Sequence, residues 1–217
     1  QMVLLEKKRL QIPEVNNIRN LAWIKFFISI ANACVTTIWA LYINSFVNSP
    51  STTGFVSTLL TLTTFASFFA LIPIIEKSNK GKLFFNSILL IMCSYILFRF
   101  VNSFAFFLIV AISLTIFQSI RIMSFGIIVK DKSPKEALVK NEGYIFTFIN
   151  LGFVIGPLIA GYFANQYGIK SIFMLGVIFS LVSMLIFKYS RVKDAHIQKQ
   201  TDKILSNFLN FFKDKKR

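Results

Sequence analysis

The chain has 217 residues, is 55% hydrophobic and carries a net charge of +15, with a mean hydropathy of +0.64. That is too apolar for a soluble domain of this size, and the apolar residues come in runs near the ~20 needed to cross about 30 Å of hydrocarbon. Almost all of the 24 Lys and Arg fall in alternate loops, a membrane-orientation pattern that argues against nucleic-acid binding.

Other chemistry is sparse. Cys34 and Cys93 both fall inside predicted spans without metal-like spacing, so they read as small packing residues. The single His196 makes neither a metal site nor a triad. The sequence has no GxSxG, no HExxH and no deep pair of carboxylates, which leaves an intramembrane enzyme without a nucleophile, base or metal. No cofactor is implied. The 26 phenylalanines are expected as lipid-facing bulk.

Residues 1–20 form a basic cytoplasmic lead interrupted at Pro13. Gln1 precedes Met2, as in a fragment of a longer protein. The apolar run from 21 to 43 is too long for the core of a cleavable signal peptide.

The first predicted span covers 21–44. Lys25, Ser29, Asn32 and Thr36 share one face of it. Polar groups there should meet protein or water, either bonding neighbouring helices or lining a cavity. The second span, 54–75, carries Ser57, Thr61 and Thr64 as a hydroxyl stripe. Such hydroxyls bond back to their own helix at little cost. Residues 76–82 are a charged turn. The third span, 83–101, is mostly apolar and expected to face lipid, with Arg99 snorkelling at its outer end.

The fourth span, 104–129, carries Thr115, Gln118 and Arg121 in steps of three. Arg121 then lies roughly 12 Å inside the helix end. An unpaired charge at that depth costs several kcal/mol. It either lines a cavity or gate, or snorkels to the cytoplasmic surface. In the basic loop 130–142, Ser133 and Glu136 resemble a capping box around Pro134 and predict a short interfacial helix.

In the fifth span, 143–167, Gly152, Gly156, Ala160 and Ala164 recur every four residues. This puts small side chains on one face for close helix approach, and Pro157 is expected to kink the helix there. Thr147 and Asn150 add a polar inner face. The sixth span, 171–189, is the plainest apolar helix. Residues 191–217 form a basic tail whose Ile204, Leu205, Phe208, Leu209, Phe211 and Phe212 gather on one side, suited to the cytoplasmic leaflet. The expected architecture is an all-α integral membrane protein, a six-helix bundle over 21–190 with both termini cytoplasmic.

Gly143, Gly152, Gly156-Pro157 and Ala160-Gly161 resemble the fifth-helix motif of the major facilitator superfamily, with Ala160 where the pattern has Gly. Glu76, Lys77 and Lys80 resemble, in degenerate form, that family's charged loop between helices 2 and 3, with Asn79 at a Gly position. Arg121 followed by Gly126 is similar to its helix-4 Arg and Gly, one residue further apart. The resemblance covers nearly the whole chain as one half of the family fold. It implies two three-helix repeats, faintly echoed by Leu71-Ile72 with Gly81 and Leu158-Ile159 with Gly168.

The resemblance further implies the N-terminal half of a twelve-helix secondary transporter working by alternating access. Helices 1, 2, 4 and 5 would line the cavity, with 3 and 6 outside. Asn32, Thr36, Thr61, Gln118, Arg121 and Asn150 are the candidate cavity residues, and the Gly-Pro helix the surface that slides against the other half. The expected partners are the lipid bilayer, a small-molecule substrate, and a second six-helix half in the same chain or a dimer partner. An anionic substrate would answer Arg121. No Asp or Glu lies deep in a span, so a coupling carboxylate belongs to the other half, or transport is facilitated diffusion. The expected location is the cell membrane of a prokaryote. The alternative is a non-transporting scaffold or receptor-like pseudotransporter with the same helices.

Overall fold

The computed structural model describes residues 2–190, with side chains from Asn17 onward. The predicted amphipathic tail lies outside the described residues. The elements are α1 (Met2–Val47), α2 (Pro50–Ala70), α3 (Ile72–Lys77), α4 (Lys80–Phe100), α5 (Phe104–Lys132), a 3₁₀ turn (Lys135–Ala137), α6 (Leu138–Tyr167) and α7 (Ser171–Tyr189). Among the described residues, 6 segments are long and apolar enough to cross a membrane: Asn17–Val47, Pro50–Ala70, Lys80–Phe100, Phe104–Lys132, Lys135–Tyr167 and Ser171–Tyr189.

Short polar residues set the helix starts. Ser49, Asn79 and Ser103 are N-caps whose side chains accept from the backbone N–H groups of Thr52, Lys82 and Phe106 at 3.4, 2.9 and 3.3 Å. Pro50 occupies the first turn of α2, where no backbone donor is needed. Gly168 ends α6 at φ 80, a left-handed conformation that glycine adopts without strain.

Several boundaries differ from the sequence-based expectation. The helix α1 is continuous through Pro13, so the lead is not interrupted there. The second span breaks at Leu71, because Pro73 cannot donate to the turn before it, and α3 follows as a separate short helix. Ser133 ends α5 instead of capping a new helix. Its hydroxyl accepts from Asn141 Nδ2 at 3.0 Å. The expected interfacial helix is only the 3₁₀ turn, and α6 begins at Leu138. Gly81 is buried in the first turn of α4 whereas Gly168 is an exposed C-cap, so these two glycines do different work.

The central element is α1. It lies along α6 and α7 and touches α2 and α5, while α4 packs on α5 and α7. Gly152, Gly156 and Ala160 of α6 are buried against α1. A Cβ at Gly152 would sit 2.7 Å from the Ser29 Cβ and 2.9 Å from the Phe26 carbonyl oxygen, and one at Gly156 would overlap the Ala33 Cβ. Cys34 donates from Sγ to the Gly156 carbonyl at 3.3 Å. The small-residue face is therefore consumed inside the bundle. Gly143 and Gly161 face open space, and α6 runs through the exposed Pro157 without a break in the helix.

Two apolar clusters fill the bundle, one at each end. One gathers Ile38, Tyr42, Phe98, Phe107 and Phe173. The other gathers Leu21, Ile24, Phe84, Phe125 and Ile128. The phenylalanines thus serve both purposes: Phe84, Phe98, Phe107 and Phe173 are fully buried, while Phe55, Phe65, Phe100 and Phe146 are exposed. The third span faces lipid on one side only, through Leu89, Leu90, Ile96 and Leu97.

Adding one methyl separates the glycines of α6. Gly156→Ala should destabilise the purified protein by about 1–3 kcal/mol through overpacking on α1. Gly161→Ala should be neutral or stabilising by up to about 1 kcal/mol, because alanine is the better helix former. Thermal melting in detergent reads both, and equal shifts would contradict this packing.

Candidate functional site

Between the residues that α5 gives to the two clusters, Leu114 and Phe125, lies a polar layer. It is built from Asn32 on α1, Tyr95 on α4, and Gln118, Ser119, Arg121 and Ser124 on α5. Because α5 continues to Lys132, Arg121 lies deeper than its sequence position implied, roughly 16 Å from the helix end by helical rise. Its side chain is 2% exposed. It does not reach for the surface: Nη2 donates to the Asn32 Oδ1 at 3.3 Å, joining helices 89 residues apart in sequence. The snorkelling alternative is therefore not what this side chain does.

The layer is incompletely satisfied. Arg121 Nε, the Tyr95 hydroxyl and the Ser124 hydroxyl are buried without a hydrogen-bond partner. Tyr95 is wholly buried. Gly176 of α7 makes room for its ring, since a Cβ there would lie 3.0 Å from Tyr95 Cδ2. Gln118 and Arg121 both lie near the Tyr95 hydroxyl, but neither bonds it in good geometry. Unpaired polar atoms in an apolar surround each cost roughly 1–3 kcal/mol.

A second cation joins the first. Lys25 places Nζ 4.3 Å from the centroid of the Phe125 ring, one helical turn along α5 from Arg121. Among the described residues no carboxylate sits with them. Glu76, Asp131, Glu136 and Glu142 all lie near helix ends or in turns.

The remaining candidates are spread apart. Lys25, Ser29, Asn32 and Thr36 do not act as one face: Ser29 packs under Gly152 of α6, Lys25 and Asn32 meet α5, and Thr36 is exposed. Thr36 bonds back to the Ala33 carbonyl at 3.1 Å, and Thr61 to the Ser57 carbonyl at 3.0 Å. Thr61 and Asn150 lie exposed on α2 and α6. The structure thus groups Arg121 and Asn32 directly, sets Gln118 beside them, and leaves Thr36, Thr61 and Asn150 outside that group.

Sequence reasoning missed Tyr95, because its span read as apolar. A phenol in mid-span needs a polar neighbour, and that is the signal that points to it. Lys25 was visible only as part of a stripe.

The charged turn is a structural device. Lys80 Nζ donates to the carbonyls of Ile75, Glu76 and Ser78 at 2.6, 3.0 and 2.7 Å, capping α3. Lys77 is exposed and Glu76 Oε1 is buried without a partner.

Six membrane-length helices around a buried polar layer define a polytopic membrane protein of transporter architecture. A model of the Major Facilitator Superfamily matches residues 21–216, and the chain belongs to that family of membrane transporters. It is 33% identical over 115 residues to an uncharacterized MFS-type transporter of Methanocaldococcus jannaschii, covering 51% of this chain and 28% of the relative. Among solved structures it is similar to the peptide transporter POT in complex with sulfate, with a TM-score of 0.69 and 14% identity over 91% of this chain and 43% of that one. The human organic anion transporter MFSD10 (TETRAN) aligns with a TM-score of 0.66 and 13% identity, covering 84% of this chain and 48% of that one. A bacterial homolog of the human lysosomal transporter Spinster, inward-facing and unoccupied, gives 0.63 and 16%, covering 94% and 49%. The chain therefore spans less than half the length of each of these proteins.

A double-mutant cycle tests the central contact. Asn32→Leu and Arg121→Met should each lower the melting temperature. The double variant should fall short of additivity by about 1 kcal/mol, the usual scale of one buried hydrogen bond. Strict additivity would mean that the two side chains do not meet.

Proposed function

We propose that this chain is a six-helix half, the N-terminal one, of a secondary transporter that moves a small solute by alternating access. The observation that carries this reading is the Arg121–Asn32 contact, which sets a charged, partly unsatisfied group deep between α1 and α5. A charge at such depth in a membrane helix bundle is a functional-site feature by default. Midplane binding between repeats is the usual placement in transporters of this architecture. Asn32, Gln118 and Arg121 would bind the solute, with Thr36, Thr61 and Asn150 lining the path to it.

A second half is supported by the faces left uncovered. The exposed Phe55, Leu62 and Phe65 of α2 and Phe146, Val154 and Leu158 of α6 are apolar, and the exposed polar groups Thr61 and Asn150 lie on the same two helices. The lengths of the solved relatives agree with this. That second half follows in the same polypeptide or arrives as a dimer partner. A coupling carboxylate would come from it; without one, transport is facilitated diffusion. The basic turn, the 4–5 loop and both termini would face the cytoplasm. The archaeal relative fits a prokaryotic cell membrane.

Uptake by proteoliposomes holding the full native polypeptide tests transport. A panel of labelled solutes should include at least one that is taken up saturably. Arg121→Gln should cut its rate about tenfold or more, the loss of one charge-assisted contact. Arg99→Gln, at an exposed helix end, should not. Uptake of no solute would favour the non-transporting scaffold. Orientation is checked separately: in a background lacking Cys34 and Cys93, Ser103→Cys should react with an impermeant maleimide from outside and Ser133→Cys only from inside.

A further inference from the structure

We propose that Lys25 and Arg121, with Asn32 beside them, form a two-cation site for an oxyanion group, such as a carboxylate, phosphate or sulfate, carried by the transported solute. This rests on the transport reading above and adds to it the charge class of the substrate and a binding residue, Lys25.

The charges call for it. Lys25 is half-buried and sits roughly 6 Å by helical rise inside the apolar run that begins at Leu21. Arg121 sits as deep or deeper. In a medium of low dielectric, two like charges repel strongly unless a counter-charge lies between them. Among the described residues, the contact seen for the half-buried Lys25 is the face of the Phe125 ring, at 4.3 Å. Among the described residues, the group that Arg121 bonds is a neutral amide, at 3.3 Å. Among the described residues no Asp or Glu reaches either cation.

The donors are also idle. Arg121 is 2% exposed and its Nε–H has no partner. A guanidinium offers a planar fork that matches an oxyanion, and an ammonium adds a point charge from a second direction. Around them, Gln118 and the unpartnered Tyr95 hydroxyl are neutral groups able to orient the rest of a solute. A lipid headgroup is the poorer guest, because Arg121 is enclosed at depth by side chains of α1, α4 and α5 instead of opening on the bilayer surface.

The test uses the full native polypeptide in a phosphate-free maltoside detergent. Its melting temperature is followed as sulfate, inorganic phosphate or succinate replaces chloride at constant ionic strength. At least one oxyanion should raise the melting temperature saturably, beyond chloride. Lys25→Gln and Arg121→Gln should each weaken that apparent affinity about tenfold or more. Lys25→Arg should retain it, as should Lys82→Gln at the exposed start of α4. If Arg121→Gln does not fold, Lys25→Gln and Arg121→Lys carry the comparison. A chloride response equal to the oxyanions would assign a structural counter-ion and overturn the inference. So would a response seen only after phospholipid is added, or no anion response at all, as when the other half supplies a carboxylate. The two proposals fail separately. Solute uptake without oxyanion preference would sink the anion site and leave transport standing. Oxyanion binding lost in Lys25→Gln, with no uptake of any solute, would support the site and remove the transport reading.

Discussion

A guanidinium held 2% exposed inside an apolar bundle constrains everything packed around it. Such a charge must be hydrogen-bonded or hydrated, or it costs several kcal/mol. Arg121 meets part of that demand through Asn32, a contact made where α1 and α5 lie side by side. The same level collects the other polar atoms, Gln118, Tyr95 and Ser124. Apolar clusters flank that level on either side. A polar group flanked by two apolar clusters is the arrangement on which the proposed solute site rests.

The rest of the bundle holds α1 in place for this contact. On its far side α6 approaches so closely that Gly152 and Gly156 have no room for a Cβ. At one end Tyr42 donates to the Phe98 carbonyl at 2.8 Å, and its ring lies 4.8 Å from Phe173. At the other end Lys80 ties up three carbonyls of the α3–α4 turn. Helices α2 and α6 spend few side chains on these tasks and keep long apolar faces open. These open faces are where the proposed second half would pack and move.

The fold was largely legible in the sequence. Six apolar runs, the charge alternation and the four-residue glycine ladder marked spans and the tightest contact. The direction of each side chain was not legible. In a bilayer both lipid-facing and core-facing positions are apolar, so hydropathy does not distinguish Phe107, fully buried, from Phe106, exposed. Likewise the stripe from Lys25 to Thr36 spreads across enough arc to face α5, α6 and open space in turn. The break at Leu71 and the use of Ser133 to end α5 depend on local geometry that composition alone leaves ambiguous. Arg121 was legible as a problem, a charge too deep to be free. Its partner became visible only when α1 and α5 were brought together.

The most direct measurement is the water accessibility of the polar layer from each side of the membrane. A cysteine at Gln118, in a full native polypeptide whose Cys34 has been replaced by alanine and Cys93 by serine, would be exposed in vesicles to an impermeant methanethiosulfonate reagent from either face. Alternating access predicts reaction from both faces, faster than at native Cys93, which is exposed on the outer surface of α4. Protection from both faces would mean a layer sealed permanently, and would contradict a transport pathway through Arg121 and Asn32.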